Sequence, residues 1–294
     1  MTGDNQPPPA AGPSVGVSQL ELSRRAYRRR QTGRSVVISL ISTIVFAVVV
    51  AVILANSPGW QVTRRTFFNP QQFLTALPAV GKGLLLNIRV LAIAVVGVAI
   101  FATLLAVLRS LRGAVFFPLR FLAAAYTDIF RGIPFLIVIY LVGFGIPALR
   151  LTQSVISVTL LGTVALILSY SAYVSEVLRA GIEAIHPSQR LAARSMGLTY
   201  TQTLRLIVLP QAIRKVVPAL MNDFVSMQKD VGLISILGAV DAIRAAQIQN
   251  AISFNYTPYV VAALFFIVLS WPFIRLTDWL TARQRNREQI GGLA

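Results

Sequence analysis

Long apolar runs alternate with short polar segments along most of the chain. Residues 35–55, 85–108, 122–146 and 155–178 are dominated by Leu, Ile, Val, Ala and Phe, and further apolar stretches lie within 213–237 and over 259–280. About 20 such residues make a helix long enough to cross the hydrocarbon core of a bilayer. The pattern predicts an all-α polytopic membrane protein with six transmembrane helices. Composition agrees: 55% of residues are hydrophobic, 13% are charged and the mean hydropathy is +0.70, whereas a soluble domain of this length needs far more charge to cover its surface.

The segments between the runs set the organisation. Residues 1–34 are polar and end in the basic stretch "SRRAYRRRQTGR", which is too poor in apolar residues to fold alone and is expected to be a disordered arm. Residues 35–57 read as an N-terminal membrane helix. The run is longer than the core of a secretory signal, and no small-x-small cleavage site follows it. An extracytoplasmic loop is expected over 58–84, with Trp60, Phe67 and Phe68 at the interface, then the main membrane domain over 85–281 and a short basic tail over 282–294.

The formal net charge of +17 raises the question of nucleic acid, and the positions of the charges answer it. With the N-terminus inside and six spans, nineteen Arg and Lys residues fall on the cytoplasmic side and six outside. That asymmetry fixes the orientation, with both termini cytoplasmic, and accounts for the charge without a nucleic-acid partner. Cysteine is absent and His186 is the single histidine, which excludes thiolate metal sites, cysteine nucleophiles and a histidine metal cluster. No glycine-rich phosphate loop with its lysine occurs, so the chain is not expected to be an enzyme or to bind a cofactor itself.

One cytoplasmic segment interrupts the apolar pattern at about 186–210. "HPSQRLAARSMG" reads as a short helix with Pro187 at its first position and Gly197 at a left-handed C-terminal position. Ala192 and Ala193 allow close approach to the backbone, Arg190 and Arg194 share a face, and Leu191 and Met196 add apolar contact. Thr199 or Thr201 can cap a following helix, which Pro210 interrupts. By spacing alone, a helix lying on the lipid headgroups fits as well as a docking element.

Ionisable groups inside spans are costly and mark function or pairing. Asp128 and Arg131, three apart, read as a self-neutralising pair, with Gly132 and Pro134 predicting a kink behind them. Glu176 and Arg179 read as the membrane exit of the fourth span. In the fifth, Asp223, Ser226 and Asp230 recur at spacings of three and four and so share a face; with Lys229 they supply an acceptor for an ammonium and a donor for a carboxylate. The competing reading is that Lys229 and Asp230 only satisfy each other or a neighbouring subunit. Ser169, Tyr170, Ser171 and Tyr173 of the fourth span are weaker companions, since Ser and Tyr often only bond between helices.

Three stretches carry a resemblance. Gln189, Leu191-Ala192-Ala193, Gly197 and Ile207-Val208-Leu209-Pro210 match in spacing the cytoplasmic signature loop of ABC-importer permeases, in which a Glu-Ala-Ala triplet precedes a glycine and an Ile-x-Leu-Pro. "YTDIFRGIPFL" (126–136) and "LPQAIRKVVPALMNDFVSMQKDVGLISILG" (209–238) resemble two further segments of the polar amino acid permeases in that family. The likeness covers about residues 80–285 and implies a five-helix importer core with one extra N-terminal helix, in the cytoplasmic (inner) membrane. It implies that Gln189, Leu191, Ala192, Ala193, Gly197 and Pro210 couple to cytoplasmic ATPase subunits, which bind ATP and Mg. It also implies a second copy of the chain or a related permease, and an extracytoplasmic amino-acid-binding protein. Asp223, Ser226, Lys229, Asp230 and Tyr170 are then the expected substrate pathway. Leu191 stands where the family has its glutamate, so no salt bridge is carried over from that position; the contact is either more apolar or an acid comes from a paired permease. A solute channel or a membrane scaffold is the alternative, favoured if no energising subunit associates.

Overall fold

The computed structural model describes residues 19–111, 113–150 and 156–291, with side chains over 35–284 of these; residues 1–18 of the expected arm, Arg112, and residues 292–294 of the tail lie outside the described residues. The described chain is helical, and it divides into two compact units, residues 1–63 and 64–294. The first unit contains α1 (Gln19–Ala55), whose Ser35–Ala55 portion has a mean hydropathy of 3.1 over its best window. The helix begins at Gln19, inside the stretch expected to be disordered. Arg and Gln are good helix formers, and the membrane run supplies the nucleus from which they extend.

The second unit follows the start of α2 (Trp60–Phe67) and opens properly with α3 (Pro70–Ser110). Asn69 caps α3, its Oδ1 accepting from Gln71 N at 3.0 Å and Gln72 N at 3.2 Å, and Pro70 takes the first position, where a missing N–H costs nothing. The expected loop over 58–84 is therefore largely helix. Its prolines and glycines suggested irregular structure, but Gly83 serves packing: a Cβ there would sit 2.4 Å from the backbone of Asp241.

The third apolar run is not one straight span. It forms α4 (Phe117–Gly132) after a 3₁₀ turn, then α5 (Phe135–Tyr140), a π turn over Leu141–Gly145 and α6 (Ile146–Ala148). The two halves meet at 106°. Pro134 has no N–H to donate and forces Ile133 out of the helical region, to φ −100° and ψ 129°, so the expected kink becomes a full break. Next come α7 (Val158–Glu183), α8 (Pro187–Ser195) and α9 (Tyr200–Thr203) with a π turn over Leu204–Val208. The chain ends with α10 (Leu209–Asp230), a 3₁₀ stretch over Val231–Leu237, α11 (Ala242–Ser253) and α12 (Thr257–Gly291). Among the described residues, four helices are long and apolar enough to cross a membrane, or six spans if the α4–α6 and α9–α11 bends each count as one.

α7 lies at the centre, packed against α3, α4 and α10. The main core joins Val90, Ala94 and Val98 of α3 to Leu161, Leu166 and Tyr170 of α7, and to Met227, Val231 and Ile234. A second apolar cluster joins α3, α11 and α12 around Val80, Ala245 and Val261. Between the two clusters, Asp241 is 0% exposed and satisfied on several sides. Its Oδ2 accepts from Asn87 Nδ2 at 2.9 Å, its Oδ1 accepts from Arg244 N at 2.8 Å, and Asn87 Oδ1 accepts from Ala242 N at 3.0 Å. This clamp locks the corner into α11 onto α3, with Gly83 allowing the approach.

Candidate functional site

Two features lie along the α7–α10 pair. The first is a cavity of about 280 Å³ lined by Ser169, Tyr170 and Tyr173 of α7, by Asp223, Ser226 and Asp230 of α10, and by Ile133 and Phe135 at the α4–α5 break. The three-and-four spacing on α10 thus does point one polar face inward. Tyr170 Oη donates to Asp230 Oδ2 at 2.8 Å, and Tyr173 Oη donates to the Arg131 carbonyl at 3.3 Å. Asp223 Oδ2 and Ser169 Oγ are buried with no partner among the described residues. Two carboxylates therefore face this space, and no cationic side chain lines it. Chemically it accepts hydrogen bonds from a cation and offers little to an anion.

The structure separates residues that sequence reasoning grouped. Lys229 is exposed and does not line the cavity, because one step along a helix turns a side chain about 100° away from its neighbour. Asp128 and Arg131 are both exposed, and no ion pair joins them among the described residues. An exposed pair on the surface of a single chain gains little from closing, so spacing alone does not enforce it. Ile133 and Phe135 were not foreseen as lining. The signal was Pro134, whose break swings the start of α5 against Tyr170, with ring centroids of Phe135 and Tyr170 6.4 Å apart.

The second feature is the segment between α7 and α10 that holds α8 and α9. His186 Nδ1 accepts from Ser188 N at 3.3 Å at the start of α8, with Pro187 in the first turn. At the other end Gly197 has φ +86°, Leu198 N donates to Ala193 O at 3.2 Å, and Gly197 N donates to Arg194 O at 3.0 Å. These two bonds make the glycine-terminated cap that the sequence pattern predicts. Ala193 is buried, whereas Leu191 is 66% and Met196 73% exposed, and Gln189 and Ala192 are exposed with them. α8 thus presents an apolar, small-residue surface outward. Thr199 and Gln202 form a reciprocal capping box that starts α9, so Thr199 and not Thr201 is the cap. Pro210 sits in the first turn of α10, behind the π turn.

The loop is braced to the helices that wall the cavity. Arg190 Nη2 donates to Ile182 O at 2.5 Å and Lys215 Nζ donates to Ala184 O at 3.0 Å, so two cations satisfy carbonyls at the C-terminal end of α7. Gly181 lets α10 pack in: a Cβ there would lie 2.1 Å from Val216. Ile185, Val208 and Ala212 form a small core beneath. Arg109 Nη1 donates to Glu176 Oε2 at 2.6 Å, and Arg179 bridges Glu176 and Glu183, tying the end of α3 to α7.

The described helices thus enclose a polar cavity and carry a short, outward-facing helix braced to the end of α7. Comparison with known proteins makes the class specific. Residues 113–286 match the family described as binding-protein-dependent transport system inner membrane component, and the chain belongs to that family. It is 33% identical over 195 residues to the arginine transport system permease protein ArtQ of Bacillus subtilis (strain 168), covering 66% of this chain and 86% of that protein. It is 34% identical over 174 residues to the probable glutamine ABC transporter permease protein GlnM of the same organism, covering 59% and 79%. A crystal structure of an amino acid ABC transporter with histidines superposes with a TM-score of 0.66 at 30% identity, over 71% of this chain and 96% of that one. The chain is thus a membrane-spanning permease subunit of an importer that works with a binding protein.

Proposed function

We propose that this chain moves a polar amino acid across the cytoplasmic membrane by alternating access, driven by ATPase subunits that dock on α8. The observation that carries the proposal is shared walls. α7 and α10 line the cavity through Tyr170, Asp223, Ser226 and Asp230, and these two helices are joined to each other at Gly181 and through Lys215, while α8 is tied to the end of α7 by Arg190 and packs against the π turn that leads into α10. A push on α8 therefore reaches the cavity through packed backbone and not through a flexible linker. ATP and Mg reside on the partner, and this chain binds no cofactor. The nucleotide acts by favouring one of two states of the cavity, as any ligand must that shifts an equilibrium.

In the cavity, Asp223 and the Asp230–Tyr170 pair receive the ammonium of the amino acid, replacing its water with charge-assisted hydrogen bonds. Lys229, which faces elsewhere, is left out of this step. The chain works beside a second copy of itself or a related permease. Both termini lie in the cytoplasm, and an extracytoplasmic binding protein delivers the substrate. The arginine and glutamine systems of its relatives support an amino-acid cargo. The test is uptake of labelled amino acids into proteoliposomes holding the complex that co-purifies with the tagged chain. ATP-dependent uptake that requires the binding protein is the expected result. Passive flux with no associated ATPase would favour the channel alternative instead.

A further inference from the structure

Beside α8 runs a groove of about 280 Å³, walled by Arg190 and Arg194 on one side and by Tyr200 and Thr203 on the other, with Ile182 and Val208 among its apolar lining. Its polar atoms are unusual in what they lack. Arg190 is held by one nitrogen on the Ile182 carbonyl, while its Nε is buried with no partner among the described residues. Thr203 is 4% exposed, and its Oγ1 is likewise buried with no partner among the described residues. Arg194 enters no ion pair among the described residues. No acidic residue lines the groove, and Glu183, close by in sequence, is taken up by Arg179. Buried donors of this kind are normally satisfied, so the arrangement is incomplete without an acceptor.

An acceptor that meets two guanidinium groups and a hydroxyl over an apolar lining is a carboxylate on a short aliphatic stem. We infer that the groove seats an aspartate or glutamate side chain of the ATPase subunit, its carboxylate held by Arg190, Arg194 and Thr203. This rests on the reading of α8 as the docking element. It gives that element a polar key to accompany its exposed Leu191 and Met196. It also assigns the missing acid: with Leu191 at the position where the family has glutamate, the acid of the contact comes from the partner and the cations from this chain.

The test uses the full complex in mild detergent, with the tagged chain immobilised and the retained ATPase eluted by rising NaCl. Thr203→Val removes the unpartnered hydroxyl at nearly constant volume, so it does not threaten the fold. Arg194→Gln removes an exposed charge. Each is expected to weaken retention about tenfold, the effect of losing a hydrogen bond to a charged group. Arg194→Gln is also expected to flatten the salt dependence, since ion pairs are screened. If both variants hold the ATPase at the wild-type salt midpoint, the carboxylate is not seated here, although docking stands. If phosphatidylglycerol co-purification falls in the variants while ATPase retention does not, the groove holds a lipid headgroup and the inference is overturned. If the wild-type chain retains no ATPase even after crosslinking, the docking reading fails and this inference falls with it.

Discussion

The cavity between α7 and α10 and the groove beside α8 are of similar size, yet their unmet chemistry has opposite sign. In the cavity the buried charged-group atom without a partner among the described residues is an acceptor, Asp223 Oδ2, and a second carboxylate, Asp230, is held by Tyr170. In the groove the charged group left over is a donor, Arg190 Nε, with Thr203 Oγ1 beside it. Two carboxylates line the first space, whereas two arginines and no acid line the second. Both are walled by elements of a single rigid assembly, joined through Gly181, Ile185 and Lys215. Under the proposed function, this contrast separates a transport step from an energising step along one helix pair.

The comparison breaks most completely at Gly197. A tryptophan at φ +86° strains the left-handed cap by about 1–2 kcal/mol and covers the outward face of α8. Gly197→Trp is expected to reduce uptake to background while the chain still inserts, as read by transport in vesicles beside a membrane-fraction blot. Unchanged uptake would remove α8 from the energising path. Asp223→Asn keeps the shape of the cavity and removes half of its negative charge. Losing a charge-assisted hydrogen bond of about 1.5–3 kcal/mol is expected to raise the substrate KM at least tenfold, with ATPase binding unaffected.

Smaller changes sharpen the contrast. Tyr170→Phe deprives Asp230 of its neutral donor at 2.8 Å, a loss of about 1 kcal/mol, and a KM shift of roughly fivefold is expected from uptake titrations. Lys229→Gln is expected to leave KM within about twofold of wild type, since surface charge changes away from a site are nearly neutral. A large effect there would restore Lys229 to the pathway and give the cavity a cation.

Much of this was legible in the chain itself, for identifiable reasons. Gly197 could be read because only a glycine tolerates the left-handed cap cheaply, and that cap is local. The shared face of Asp223, Ser226 and Asp230 could be read because helical period is a local property too. Lys229 was misplaced because adjacency in sequence is not adjacency on a helix. Asp128 and Arg131 were misjudged because spacing permits a pair without enforcing it. The break at Pro134 was visible as a kink, but its 106° angle depends on how α5 packs against α7, which is tertiary information. The start of α3 was hidden for the opposite reason: Gly81, Gly83 and Pro78 look like loop residues, and only the Asp241 backbone lying against Gly83 explains a glycine there.

The central claim is that α8 moves the cavity through α7 and α10. The chain has no cysteine, so Ser226→Cys places a single reporter in the cavity wall. The rate at which a membrane-impermeant thiol reagent labels it would be measured in the reconstituted complex, with and without ATP and binding protein. The account predicts that ATP changes the labelling rate and that adding Gly197→Trp abolishes the change while leaving the basal rate intact. A labelling rate indifferent to ATP in a complex that still transports would contradict it.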